Sequence, residues 1–151
     1  MSKPIAAAIE PSPEKLRNPA QRYLMATRPA FLTIALVGCL LGFASAVISA
    51  VPFNFIAALV TLLLAILAQA GVNVLNDYYD HLNGTDELNS DRLFPFTGGS
   101  RFIQNGVFTA RQTLAFGLAL FAVVIAGGLW LIANAGIGLF WIGLAGLFIG
   151  W

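Results

Sequence analysis

Every lysine, arginine, aspartate and glutamate of this chain lies in residues 1–28 or 77–111. Residues 29–76 and 112–151, runs of 48 and 40 positions, contain none. A helix needs about 20 apolar residues, rising roughly 1.5 Å each, to cross a bilayer. Each charge-free run therefore holds two crossings joined by a tight turn. Helices are the expected element because hydrocarbon leaves no partner for an open backbone group. Composition agrees: 58% of the 151 residues are hydrophobic and 10% are charged, where a soluble domain carries about a quarter charged residues. The expected fold class is all-α, a polytopic transmembrane helical bundle with four crossings.

The first crossing is expected over residues 30–50, with Arg28–Pro29 at its entrance. Proline at a first helical position gives up no needed N–H. Ser49–Ala50–Val51–Pro52 reads as the turn into a second crossing over 53–75. Residues 76–111 form one long polar connection, interrupted by Gly84, Pro95 and Gly98–Gly99, so it is not a continuous helix. Its aromatic residues suit a lid at the membrane surface. Thr109 is the expected cap of a third crossing over 112–132. Asn134–Ala135–Gly136 turns into a fourth over 136–151. Recurrent glycines in the last two crossings favour close helix approach.

Residues 1–20 read as a mobile polar tail, unlike a secretory leader, and 21–151 as the membrane domain. Positive charge precedes the first crossing and follows the second, while the turns near Pro52 and Asn134 have none. The positive-inside tendency then places the N-terminus and the 76–111 loop in the cytoplasm. No basic stripe interleaved with aromatics marks a nucleic-acid surface. Cys39 is the single cysteine, in an apolar run, and packing is its expected role. The closing WIGLAGLFIGW carries no polar tail, and the chain is expected to be the first part of a longer protein.

The chemistry concentrates in NVLNDYYDHLNGTD, residues 73–86. Asn76 and Asp80, four apart, share a face if the helix continues, and Asp77 points elsewhere. Gly84 breaks the helix before Asp86, which reaches Asp80 only if the loop folds back. Three converging oxygen ligands suit Mg²⁺, which binds through one or two carboxylates together with substrate phosphates. Solvated charges marking the end of a crossing explain the same residues. Gln69, Asn73, Asn76 and Asp80 lie near one helical stripe, which favours a cavity open to the polar side. His81, alone beside the carboxylates, is a weak ligand candidate.

Asn76–Asp77–Tyr78–Tyr79–Asp80 followed by Gly84–Thr85–Asp86 resembles the first aspartate-rich motif of UbiA-type aromatic prenyltransferases. Arg92 and Pro95–Phe96–Thr97–Gly98–Gly99–Ser100–Arg101, with Gln104 and Gly106, resemble most the 1,4-dihydroxy-2-naphthoate branch, which serves menaquinone biosynthesis. Arg28–Pro29 also matches the family's opening. The likeness spans about residues 20–151 and is specific over 72–106. Many relatives place three residues between the last two motif positions; here five separate Asp80 from Asp86, as in the naphthoate-type branch. The family has about nine crossings and a second acidic motif in its latter half, which residues 112–151 do not supply.

The resemblance implies a multi-pass enzyme of the cell membrane that transfers a polyprenyl group from polyprenyl diphosphate to an aromatic acid, in quinone biosynthesis. Asn76, Asp80 and Asp86 would be the catalytic, Mg²⁺-binding set. Asn73, Tyr79, Arg92 and Arg101 would contact substrate, the arginines through diphosphate or acceptor carboxylate, to whose geometry guanidinium is matched. Setting topology by positive charge accounts for both arginines equally. A 4-hydroxybenzoate acceptor remains an alternative, as does a non-enzymatic membrane module. The aspartate–glycine–alanine–arginine pattern of CDP-alcohol phosphotransferases is absent.

Overall fold

A chain whose apolar residues have no solvent-facing alternative folds into helices and then hairpins, and this one does so. The computed structural model describes residues 10–85 and 99–150. Five helices occur among them, and no strand: α1 Pro19–Ala26, α2 Pro29–Ile48, α3 Phe55–Asn83, α4 Ala110–Ala135 and α5 Gly138–Gly150. Helices α2, α3 and α4 are long and apolar enough to cross a membrane. Of the four expected crossings, the last corresponds to α5, apolar throughout and 13 residues long. At about 1.5 Å per residue that is roughly 20 Å, short of the ~30 Å hydrocarbon layer.

The helix ends follow local chemistry. Pro29 is the first residue of α2, and Arg28 before it takes a left-handed backbone (φ 53°). Asn54 caps α3 by accepting from the Ala57 N–H at 3.1 Å. Thr109 and Gln112 form a reciprocal capping box at the start of α4, so the expected cap is present. Helix α3 continues beyond the expected crossing over 53–75 and past Tyr79, the expected end of the motif's extra turn, to Asn83. Nothing in Asn76–Asn83 is a strong breaker, and Gly84, left-handed at φ 75°, stops it. About 20 residues are enough to fill a bilayer's depth, so α3, at 29 residues, is longer than a crossing needs by its polar last turns.

Helix α3 is the centre of the bundle, with α4 packed along one side, α2 along another and α5 against α4. The α3–α4 seam is antiparallel and uses glycine for close approach. The Cβ that Gly71 lacks would fall 2.9 Å from the Phe121 ring, that of Gly117 2.5 Å from Leu75, and that of Gly127 2.6 Å from Leu64. The close packing expected of glycine in α4 is thus present. Gly143 and Gly146 of α5 face open space. Long stretches of α2, α4 and α5 expose large apolar side chains, Ile48 and Phe148 at 85% each, as surfaces solvated by lipid would.

Most of the buried apolar residues gather toward one end of the bundle. Leu16, Ala26, Val74, Phe102, Val107 and Phe108 form a single cluster, with Phe116 and Leu120 packed against it. Tyr23 adds ring contacts to Phe108 and Phe116 at 4.9 and 4.8 Å. Residues 10–20, part of the 1–20 segment expected to be a mobile tail, pack against this end. Leu16 is buried, its carbonyl accepts from Arg22 Nε and Nη2 at 3.1 and 2.8 Å, and Asn105 Nδ2 donates to Glu10 Oε2 and the Pro11 carbonyl. Together with α1 and residues 99–109, the N-terminal segment forms a cap over one end of the bundle.

Candidate functional site at the capped end

The last three turns of α3 enter this cap, and their polar side chains divide into those bound by the protein and those left open. The first are Asn73 and Asp77. Asn73, buried, donates from Nδ2 to the Thr27 carbonyl at 2.9 Å and accepts from Gln69 Nε2 at 3.1 Å. The polar stripe seen in the sequence is real, but its deeper half ties α3 to the α1–α2 junction. Asn73, expected to contact substrate, is committed to that joint on both sides of its amide.

Asp77 lies one turn on, 3% exposed. Its Oδ1 accepts from Arg28 Nη2, in an ion pair, and from the Ser100 backbone N–H at 3.1 Å. Its Oδ2 accepts from the Ser100 hydroxyl. One carboxylate thereby joins the start of α2, the end of α3 and the segment leading to α4. A buried charge without such partners costs several kcal/mol, so this node is an obligatory unit.

The remaining polar groups of these turns are more open. Asn76 and Tyr79 are exposed and Asp80 is half-buried. Tyr79 stacks edgewise on Tyr78 at 5.3 Å between ring centres. Asn76 and Asp80, four residues apart on one continuous helix, share a face as expected. Neither side chain has a hydrogen bond or ion pair among the described residues. Asp86 and Arg92 lie outside the described residues. No group of three His, Cys, Asp or Glu able to hold a metal occurs among those described. What is present, an amide oxygen and a carboxylate, is an oxygen donor pair of the kind Mg²⁺ accepts when phosphates and water complete its shell.

Arg101 follows Ser100 directly. It is half-buried with a left-handed backbone (φ 54°), a conformation uncommon outside glycine. Its Nε is buried and has no hydrogen-bond partner among the described residues. A tight reversal follows: the Asn105 N–H donates to the Arg101 carbonyl at 2.9 Å, and Val107 and Phe108 both donate to that of Phe102. Arg101 is thus fixed by its backbone beside the α3 terminus, with a cationic head left over.

The Arg28–Asp77–Ser100 node was not expected from the motif, yet a signal for it exists. Arg28 is the last charge before the first charge-free run and Asp77 the first after it. An antiparallel hairpin with legs of similar length must return residue 77 to the level of residue 28. Opposite charges bracketing such a run are therefore candidates for a pair.

Comparison with protein-family models, with curated proteins and with solved structures returned no match.

Proposed function

We propose that the chain contributes the Mg²⁺-dependent diphosphate-binding end of a membrane prenyltransferase, which moves a polyprenyl group from its diphosphate to an aromatic acid, 1,4-dihydroxy-2-naphthoate first among the candidates. One observation carries the reading. Asn76 and Asp80, unpartnered among the described residues, share a face of a membrane-length helix, on the turns that flank Asp77, whose partner Ser100 precedes an arginine with no described partner at Nε. An oxygen donor pair and a guanidinium at the mouth of an apolar bundle suit an amphiphile with an anionic head and a hydrocarbon tail.

Asn76 and Asp80 would hold Mg²⁺, joined by Asp86. When bound, the ion supplies charge neutralisation of the diphosphate as it departs from the allylic carbon. The chain's own groups do the remaining work. Arg101, with Arg92, binds diphosphate oxygens or the acceptor carboxylate. The apolar flanks of α3 and α4 keep the isoprenoid tail out of water, and Tyr79 lines the exposed face beside Asp80. The allylic C–O bond breaks, a carbon–carbon bond to the electron-rich ring forms, and the ring loses its proton or, for the naphthoate, its carboxyl group. Positive charge around residues 3–28 and 92–111 argues for a cytoplasmic location of this end.

The test uses the whole product of the gene, purified in lipid nanodiscs and supplied with polyprenyl diphosphate and competing aromatic acids. Transfer should require Mg²⁺, stop on exhaustive chelation and be lost in Asp80→Asn. Undiminished transfer after chelation, or near-normal turnover by Asp80→Asn, overturns the assignment. Prenylation of 4-hydroxybenzoate in preference to the naphthoate would move the acceptor and leave the metal site standing.

A further inference from the structure

We propose that Arg28, Asp77 and Ser100 form a latch that positions the Arg101 guanidinium as the diphosphate-binding arm of the α3 acidic turns. The proposal rests on the functional reading above and adds three residues to it, none of which touches substrate.

Asp77 sits within the acidic stretch but differs from Asn76 and Asp80 in every measurable respect. It is 3% exposed, and both its oxygens are taken by protein donors. It is a positioning residue in a motif whose neighbours face outward. An apolar side chain would fill a buried site at least as stably as an ion pair, so stability alone is a poor reason for a carboxylate there. What a carboxylate supplies is direction: two oxygens receive the N–H and the hydroxyl of the same residue, Ser100, and fix both the place and the orientation of its backbone. Arg28 balances the charge at Oδ1, and its own backbone is held left-handed at the α1–α2 junction.

The beneficiary is the next residue. Arg101 is clamped between Ser100, bound to Asp77, and Phe102, 3% exposed in the cap's apolar cluster. Its backbone enters the left-handed region two residues after Gly99 does the same at φ 71°. The chain therefore turns sharply at both positions, and the turn is anchored on α3 at Asp77. Asn76 precedes that anchor by one residue and Asp80 follows it by less than a turn. Arg28 has its charge answered by Asp77; Arg101 has no described counter-charge. A half-buried guanidinium is stable at such a place when an anion completes it.

The experiment measures binding of inorganic diphosphate with Mg²⁺, by calorimetry on the intact protein in nanodiscs, alongside thermal unfolding. Arg101→Gln should weaken binding roughly tenfold or more. Ser100→Ala, which removes the hydroxyl and keeps the backbone N–H, should weaken it about three- to tenfold in protein that remains folded. Some unfolding temperature should be lost as well, because Asp77 Oδ2 loses its donor, and Ser100→Thr should restore both. In Ser100→Ala combined with Arg101→Gln, the loss should not exceed that of Arg101→Gln alone, because the two act through one group. Asp77→Asn should follow Ser100→Ala in direction; if it fails to fold, the two Ser100 variants decide. Normal diphosphate affinity in Ser100→Ala, or additive losses in the double variant, overturns the latch alone. Failure of the unaltered protein to bind Mg²⁺-diphosphate overturns both the latch and the functional reading.

Discussion

Replacing Gly117 by alanine probes the packing on which the site depends. The new Cβ would lie 2.5 Å from Leu75 Cδ2 and 2.7 Å from its Cγ. Carbon atoms in favourable contact sit about 3.5–4.0 Å apart, so the seam must open by roughly 1 Å or Leu75 must leave its rotamer. Leu75 is 3% exposed, and Val74, 1% exposed, already lies 3.5 Å from the same point. Overpacking of this kind costs about 1–3 kcal/mol. Alanine returns about 1 kcal/mol through helix propensity, leaving a net loss of roughly 0–2 kcal/mol. Gly128→Ala, on the same helix with nothing within 4 Å of its Cβ, receives only the propensity gain. The difference between the two variants, about 1–3 kcal/mol, isolates the clash. It is read by denaturant unfolding in mild detergent, followed by far-ultraviolet circular dichroism. Leu75 directly precedes Asn76, so Gly117→Ala should also weaken Mg²⁺-diphosphate binding, and Gly128→Ala should not. Equal stability of the two variants would refute the tight seam as the determinant of α3's position.

Four further outcomes are expected. Asp77→Ala strands the Arg28 guanidinium and should destabilise by about 3–5 kcal/mol, while the double replacement Arg28→Met with Asp77→Leu should be milder than either single change, both read by thermal unfolding. Asn76→Ala and Asp80→Asn, on an open face without described partners, should leave the unfolding temperature within a degree or two, about ±0.5 kcal/mol, while abolishing Mg²⁺-dependent diphosphate binding. Asn105→Ala removes both bonds to Glu10 and Pro11, and limited trypsinolysis should then cut faster at Lys15 and Arg17. Thr109→Ala breaks the capping box of α4 and should cost about 0.5–2 kcal/mol.

The positions of the charges were enough to establish that the chain is helical and, to within two residues, where the three membrane-length helices begin; of the four crossings they implied, the last corresponds to α5, 13 residues long. Hydrocarbon admits few alternatives, and caps such as Thr109 and Pro29 act within one turn of their own sequence. The pairing of Asn76 with Asp80 on one face was equally legible, because helical periodicity is local. Tertiary structure alone decided which acidic residue is free and which is spent. Asp77 and Asp80 are chemically identical and three residues apart, yet one is sealed by Arg28 and Ser100, 49 and 23 residues away, and the other is left open. The same holds for Asn73, drawn from a polar stripe into a joint with Thr27, and for the N-terminal segment, whose docking needs Asn105 from the far side of the acidic loop. Burial and ion pairing depend on what the folded chain brings alongside, and a helix's own sequence records only which way each side chain points.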